Sequence, residues 1–443
     1  MALKNSDKEI YNLIKLEAKR QKEGLELIPS ENYTSASVME AMGSILTNKY
    51  SEGFPGKRYY GGNEFIDQIE ILAQERLKKL FKAEFACVQP YSGSPANFAV
   101  YLAICQPGDK FMGLNLPDGG HLTHGWKMSA TALFYKSIPY HVKDDGRIDM
   151  AEVKKLAKEH KPKIIWAGGT AYPFKYDFKE WAEIADSVGA FLVVDMAHIA
   201  GLIAAGVHPD PAPYAHIITS TTHKTLRGPR GGFILVTKKG LKKDPELSAK
   251  IEKAIIPGFQ GGPHNHQTAA IAVTAKEAGT AEFKKYGSQI VKNAKTLADT
   301  LMSGGVKLVG DGTENHLLLL DLVPVNGPGG GVFGQVALEA AGMTANKNTI
   351  PKEPSSPFYP SGVRMGTPAL TSRGFKESEM RKVGAWILRA IDEIKNYRLP
   401  SDKEERAEYL KMFNSEIKKN RNLKKIKAEI KSLTKNFPVP GVK

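Results

Sequence analysis

Ser220-Thr221-Thr222-His223-Lys224-Thr225-Leu226-Arg227-Gly228-Pro229-Arg230-Gly231-Gly232 lies between two short apolar runs, 217–220 and 232–236. Runs of that length bounded by turn residues suit buried strands. A lysine that follows a strand is by default a solvated surface group. Lys224 instead sits among hydroxyl, imidazole and guanidinium groups, in a loop that ends in glycines. Nearby cations and desolvation depress a lysine pKa, which an amine nucleophile needs at neutral pH.

Upstream, Val193-Val194-Asp195-Met196-Ala197-His198 ends another apolar run on a carboxylate, 29 residues before Lys224. At the carboxyl edge of an α/β sheet such a residue faces the ligand crevice. Alone, Asp195 reads as an ordinary turn cap. Beside the Lys224 loop it points to pyridoxal 5'-phosphate (PLP), whose pyridine nitrogen needs a carboxylate to stay protonated and act as an electron sink. A third segment, Tyr91-Ser92-Gly93-Ser94-Pro95-Ala96-Asn97, follows a strand-like run and opens a helix. Backbone N–H groups and serine hydroxyls at a helix start bind anions, here the cofactor phosphate. Ser-Gly-Ser by itself is a weak signal, since many loops contain it.

Further out, the runs 86–89, 164–167 and 191–194 read as buried strands. Helical periodicity covers 96–105, 150–160 and 178–188 between them, and 7–22, 35–47 and 65–80 before them. Strand–helix alternation of this kind argues for a mostly parallel α/β sheet. After about residue 280, helices predicted over 281–302, 336–341, 377–395 and 404–433 flank strands such as 317–322, which suggests a smaller α+β domain. The expected division is an N-terminal arm over 1–32, a large domain over 33–280 and a small C-terminal domain over 281–443. Gly327-Pro328-Gly329-Gly330-Gly331 reads as a flexible loop.

Composition bounds the function class. The chain has 443 residues, 42% hydrophobic, with no apolar stretch long enough to span a membrane. The first residues are polar and include Asp7 and Glu9, so neither a secretory leader nor a transit peptide is expected. Two cysteines, Cys87 and Cys105, make no disulfide framework and fit a reducing cytoplasm. The net charge of +15 invites a nucleic-acid partner, but the lysines are dispersed and no nucleic-acid-binding signature accompanies them. Nucleic acid is not expected. The densest basic run, 418–431, reads as one face of a surface helix. His121 with His124, and His264 with His266, lack a cysteine or acidic partner at metal-ligand spacing, so no metal is expected.

Longer words narrow the class. Leu27-Ile28-Pro29-Ser30-Glu31-Asn32, Tyr50-Ser51-Glu52-Gly53-Phe54-Pro55-Gly56-Lys57-Arg58-Tyr59-Tyr60-Gly61-Gly62 and Gly119-Gly120-His121-Leu122-Thr123-His124-Gly125 resemble serine hydroxymethyltransferases, fold-type-I PLP enzymes. So do the Lys224 loop, Phe259-Gln260-Gly261-Gly262-Pro263, Asn346-Lys347-Asn348 and Ser361-Gly362-Val363-Arg364-Met365-Gly366-Thr367. The likeness runs from about residue 7 to about 400, with a weaker echo at Phe437-Pro438. It implies a mostly parallel seven-stranded sheet in the large domain.

The resemblance also implies roles. Lys224 carries PLP as a Schiff base, Asp195 pairs the pyridine nitrogen and His121 stacks on the ring. Gly93 and Ser94 take the phosphate, while Thr170, His198, Thr221 and His223 line the cofactor, the last two with a part in catalysis. Ser30 and Arg364 hold the substrate carboxylate, Arg364 as a bidentate fork. Tyr50, Glu52, Tyr59, Tyr60, Gly261 and Gly262 cross from a neighbouring subunit, so a homodimer or tetramer is implied. Leu116, Gly120, Leu122, Asn348 and Ser356-Pro357-Phe358 contact the pterin of tetrahydrofolate, the co-substrate. The substrates implied are serine and glycine, with Glu52 moving the proton between the serine hydroxyl and the folate.

Three departures qualify the match. Thr170 stands where serine is expected, which keeps the hydroxyl. Phe174-Lys175 replaces an expected arginine. Phe333-Gly334-Gln335 replaces charged helix formers. Two enzyme readings compete: folate-coupled transfer, and a folate-independent β-hydroxy-amino-acid aldolase that would not need the pterin contacts. A modified pterin in place of folate also stays open, as does a non-catalytic RNA-binding or scaffold protein, against which the intact Lys224, Asp195, His121 and Arg364 speak.

Overall fold

The structure, a computed structural model, describes residues 2–442. The chain divides into two units. One is Thr34–Val291, and the other combines the chain up to Tyr33 with the chain from Lys292 onward.

The Thr34–Val291 unit is built on seven strands: β1 (Phe85–Cys87), β2 (Lys110–Leu114), β3 (Lys136–Tyr140), β4 (Ile164–Ala167), β5 (Phe191–Asp195), β6 (Ile217–Thr221) and β7 (Gly232–Val236). Their order across the sheet is β1-β7-β6-β5-β4-β2-β3, and only β7 runs antiparallel to its neighbours. Successive side chains of a strand point to opposite faces. Leu192 and Val194 therefore enter one apolar core, while Val193 enters another. Ile165 and Ile218 join the first core, and Ile164, Trp166 and Ile217 the second. Burial on both faces explains why these strands read as unbroken apolar runs.

Pattern reading alone passed over β2 and β3, although the resemblance implied seven strands. β2 starts on Lys110 and contains Gly113, where a Cβ would lie 2.3 Å from the His124 carbonyl oxygen. β3 is the edge strand and contains Pro139, which an edge tolerates because one side needs no ladder donor. The helix predicted over 35–47 stops at Met42 and resumes as a 3-10 turn at Ile45–Asn48, with Gly43 between them. The helix predicted from 96 starts earlier, at Gly93.

The second unit holds a four-stranded antiparallel sheet: β8 (Lys307–Leu308), β9 (Leu317–Asp321), β10 (Asn346–Asn348) and β11 (Gly362–Gly366), in the order β8-β9-β11-β10. The segment expected as a separate N-terminal arm is part of this unit. Leu25–Glu26 pairs in parallel with Met343–Thr344, and Leu25 and Leu27 are buried in its core. Arg373 fastens the same segment by donating to the carbonyl oxygens of Gln21, Lys22 and Gly24, and to those of Thr434 and Phe437.

The glycine stretch expected as a flexible loop turns into a helix at Gly331–Ala340. A Cβ on Gly331 would lie 2.1 Å from the Gly362 carbonyl, and one on Gly334 would lie 2.6 Å from Leu322, so these glycines allow close packing on the sheet. Phe333, one of the unexpected residues, fills an aromatic cluster with Tyr397, Tyr409 and Phe413. The single helix predicted over 404–433 is two, Lys403–Lys419 and Arg421–Thr434, split where the Asn420 side chain caps the second by accepting from Leu423 N. The basic run 418–431 spans that break. Its apolar members Leu423, Ile426 and Ile430 are buried and its lysines exposed.

Candidate active site

Five strands deliver their carboxyl-end loops to one cleft in the Thr34–Val291 unit. Gly93 comes after β1, His121 and His124 after β2, Thr170 after β4, Asp195 and His198 at and after β5, and Thr221 and Lys224 at and after β6. All five strands run parallel, so their carboxyl ends share an edge, where ligands of such sheets bind.

The Lys224 loop is clamped on both sides of the lysine. Thr222 donates to the Pro229 carbonyl at 2.6 Å and accepts at its own carbonyl from Gly228 N at 2.8 Å. Thr225 Oγ1 donates to the His198 carbonyl and accepts from Gly201 N, each at 2.9 Å. Gly228 must lack a side chain, because a Cβ would lie 2.6 Å from Thr274. Arg227 adopts a left-handed backbone (φ 65°) and lays its guanidinium over the Tyr286 ring at 4.5 Å. Beside the lysine, His223 is held by burial, and then by Lys224 and Arg230, at a pKa of about 3, so it is neutral at physiological pH.

Asp195 is pinned by three donors. Oδ2 accepts from Asn97 Nδ2 at 2.8 Å and from His124 Nε2 at 3.1 Å, and Oδ1 accepts from Ala197 N at 3.0 Å. Burial pushes its pKa up, but the His124 hydrogen bond and the surrounding cationic groups outweigh that and hold it below the usual carboxylate range. His124 in turn stacks on Trp166, with ring centroids 5.1 Å apart. His121 Nδ1 lies 2.7 Å from Thr123 Oγ1 and accepts from Thr123 N at 3.3 Å. Burial, then His124, lowers the His121 pKa to about 4. His121, His124 and Asp195 place ligand-type atoms within 4.8 Å of one another. His121 Nδ1 and His124 Nε2, however, are committed to Thr123 and Asp195.

At the start of the Gly93–Ile104 helix, a Cβ on Gly93 would lie 2.7 Å from Thr221 Cγ2. Thr221 Oγ1 is buried with no partner among the described residues. The Thr170 hydroxyl donates to the carbonyls of Gly120 at 3.0 Å and Gly119 at 3.3 Å. Gly120 itself is packed so tightly that a Cβ would meet the Leu114 carbonyl oxygen. Leu116 begins a 3-10 turn between the two. Ser94 and Leu122 line a neighbouring open apolar groove with Phe98, Trp126 and Phe259. Near the replaced arginine, Phe174 is buried and Arg147 stacks on its ring at 4.1 Å, so a guanidinium returns from another part of the chain.

The residues expected to serve a neighbour form a cluster of their own. Tyr50 and Tyr60 meet edge to face at 4.8 Å. A Cβ on Gly262 would lie 3.2 Å from the Tyr50 ring, and one on Gly261 3.6 Å from Glu52 Oε1. Tyr59 is 73% exposed, and none of these six residues lines the cleft of its own chain. The buried Arg58 shapes the loop by donating to the Ser51 and Gly53 carbonyls on either side of Glu52, and it pairs with Asp67 and Glu70 at 2.8 and 2.6 Å.

The remaining expected residues lie in the second unit. Arg364 is on β11, where its Nε donates to Asn346 Oδ1 at 3.1 Å, and burial lowers its pKa to about 10. Asn348, on β10, donates to the Thr349 carbonyl. Ser356-Pro357-Phe358 is a turn with Phe358 80% exposed, and Ser30 lies in the turn before Glu31. Sequence reasoning did not assign a role to Asn97, Thr123 or His124. Asn97 and Thr123 were inside quoted words, but nothing in a linear sequence shows that Asn97, one helical turn into its helix, reaches Asp195.

Residues 3–387 match the serine hydroxymethyltransferase family. Curated relatives include a serine hydroxymethyltransferase of Sorangium cellulosum, 51% identical over all of this chain and 97% of its own. One of Acidothermus cellulolyticus is 50% identical over the same shares, and one of Campylobacter jejuni 54% identical over 90% of this chain and 94% of its own.

Proposed function

The chain belongs to the serine hydroxymethyltransferase family, and we propose that it moves the hydroxymethyl carbon of serine reversibly to tetrahydrofolate, giving glycine and 5,10-methylenetetrahydrofolate. The observation that carries the reading is the meeting of Asp195, His121, Lys224 and the Gly93 helix start in one cleft.

PLP fits that cleft. An ionised carboxylate, a flat neutral imidazole, an amine and a helix N-terminus match its ring nitrogen, ring face, aldehyde and phosphate. The Thr221 hydroxyl is a buried polar atom that such a group would satisfy. Bound there, PLP supplies the sink for the electron pair left on Cα when the Cα–Cβ bond breaks. Lys224 is the amine that would hold it, and Asp195, fixed by three donors, would keep a negative charge for the ring nitrogen. Arg364, with Ser30, takes the serine carboxylate. Glu52 carries the proton between the serine hydroxyl and the folate. Leu116, Gly120, Leu122, Asn348 and residues 356–358 form the pterin contacts.

A homodimer is the minimum assembly in this reading. Tyr59 and Tyr60 are exposed aromatics beside Glu52, and large exposed apolar groups of this kind mark interaction surfaces. In this reading they complete a neighbour's cleft. No helix among the described residues is long and apolar enough to cross a membrane. The two buried, unbridged cysteines support a reducing cytoplasm.

Glycine formation from serine, measured with and without tetrahydrofolate, tests the reaction. Borohydride reduction followed by peptide mapping tests the anchor. Folate-dependent turnover with the reduced cofactor on Lys224 is expected. Cleavage indifferent to tetrahydrofolate would favour the aldolase, and an adduct on another lysine would remove Lys224 from its role.

A further inference from the structure

We propose that Asn97 is a positioning residue that links Asp195 to His121 through Thr123 and holds the His121 imidazole in the tautomer with its proton on Nε2. The inference rests on the PLP reading of the cleft for its purpose, but its geometry stands apart from it.

Asn97 is 1% exposed, and its amide nitrogen makes two hydrogen bonds, to Asp195 Oδ2 at 2.8 Å and to Thr123 Oγ1 at 2.9 Å. A carboxylate only accepts, so chemistry fixes which end of the amide faces Asp195. Turning the amide over would set two oxygens against each other. With Nδ2 facing Asp195, its second N–H reaches Thr123, whose hydroxyl oxygen accepts it. That leaves the hydroxyl proton for His121 Nδ1, 2.7 Å away. The Thr123 backbone N–H, which can only donate, is aimed at the same nitrogen at 3.3 Å. Two donors on Nδ1 require a lone pair there, so the ring proton sits on Nε2. The Thr123 carbonyl is tied down by Tyr101 Oη at 2.8 Å, which keeps the relay in register.

One amide thus sets two properties at once. It gives Asp195 a neutral donor that holds the carboxylate without competing for its charge. It also fixes the rotation and proton placement of the ring expected to stack on the cofactor. The groups facing His121 are His124, Asp195 and Lys224. Of these, Asp195 is bonded to the relay through Asn97.

Nitrogen-15 NMR of the His121 ring, in holoenzyme and apoprotein, reads the tautomer directly. The Nε2–H form is expected in both states of the unaltered protein. Asn97→Ala and Thr123→Val leave the longer, 3.3 Å backbone donor as the main support for the Nε2–H ring, so a measurable share of the Nδ1–H form should appear and kcat for serine should fall roughly 10-fold, the upper scale of one lost hydrogen bond, with KM little changed. Thr123→Ser keeps the hydroxyl and should restore both readouts. An Nδ1–H ring in the unaltered apoprotein, or a tautomer that stays Nε2–H in folded Asn97→Ala and Thr123→Val, would overturn the relay. Because the apoprotein spectrum contains no cofactor, failure of the relay is separable from failure of the PLP assignment, which the Lys224 adduct decides.

Discussion

Gly93 and Thr221 stand so close that a methyl group added to the glycine would lie 2.7 Å from Thr221 Cγ2. The first residue of a helix and the last of β6 therefore approach at a point only glycine permits. Gly93→Ala forces one of the two to move, and overpacking of this kind costs roughly 1–3 kcal/mol. If the phosphate seats on this helix start, PLP affinity should fall by about 5- to 150-fold while far-UV circular dichroism stays unchanged. Titration of apoprotein with PLP, followed by absorbance, measures it. Unchanged affinity would put the phosphate elsewhere.

Arg364→Ala should raise the KM for serine about 10- to 150-fold while PLP stays bound, the scale of a charge-assisted pair of roughly 1.5–3 kcal/mol. Burial already presses on this guanidinium, which lowers its pKa to about 10 and favours an anionic ligand over none. Steady-state kinetics with serine, alongside the cofactor spectrum, separates the outcomes. An unaltered KM would make Arg364 a structural residue.

What could be read from sequence follows the range of the interactions. β4 to β7 were legible because both faces are buried, so the apolar signal is continuous. β2 and β3 were not, because Gly113 answers to a distant carbonyl and Pro139 to an edge position. The glycines at 331 and 334 looked like a loop until the sheet they pack against was in place. Asp195 stood out because it closes an apolar run with a charged group, and Lys224 because it sits among hydroxyl, imidazole and guanidinium groups in the loop after one. Asn97 and Thr123 did not, since their meaning lies in a contact 98 residues away and in a two-residue turn beside it.

Three histidines set an acid-side limit on stability. His121 and His216 have pKa values lowered by burial to about 4, and His223 to about 3, from an ordinary 6.5. Their folded pKa values lie below the unfolded ones, so the stability they contribute is present above pH 6.5 and lost as pH falls towards 4. Across that window these three imidazoles together bind up to three more protons in the unfolded chain, a slope of up to about 4 kcal/mol per pH unit from them alone. Glu26 acts oppositely. Burial, with Glu31 beside it, raises its pKa to about 8, so its contribution is full below 4.5 and lost as pH rises through 8. Burial raises Glu70, Asp118 and Glu252 in the same sense, so the histidine part is read by difference. His216→Asn should remove about one proton from the pH dependence of apoprotein stability between pH 6.5 and 4.5. A pH dependence identical in the unaltered protein and in His216→Asn would mean that this imidazole titrates normally.

Glu52 separates the two enzyme readings. Its loop is fixed: Arg58 donates to the carbonyls of Ser51 and Gly53, and Tyr59 N donates to the Glu52 carbonyl at 3.0 Å. The carboxyl itself is only half-buried and faces Gly261, where a Cβ would sit 3.6 Å from Oε1, so it is presented rather than enclosed. Glu52→Gln keeps the size and much of the hydrogen bonding but cannot exchange a proton. The fold and PLP binding should survive, because the loop is held by backbone carbonyls and not by this side chain. Transfer from serine to tetrahydrofolate should fall by roughly 10²- to 10⁴-fold, the usual worth of a positioned acid–base group. Folate-independent cleavage of a larger β-hydroxy amino acid should suffer less, since a stable aldehyde leaves without carbon transfer. Both rates, measured on one preparation with its PLP content known, decide the matter. Equal losses would mean that Glu52 is no folate-coupled proton carrier, and the aldolase reading would gain its first support from this chain.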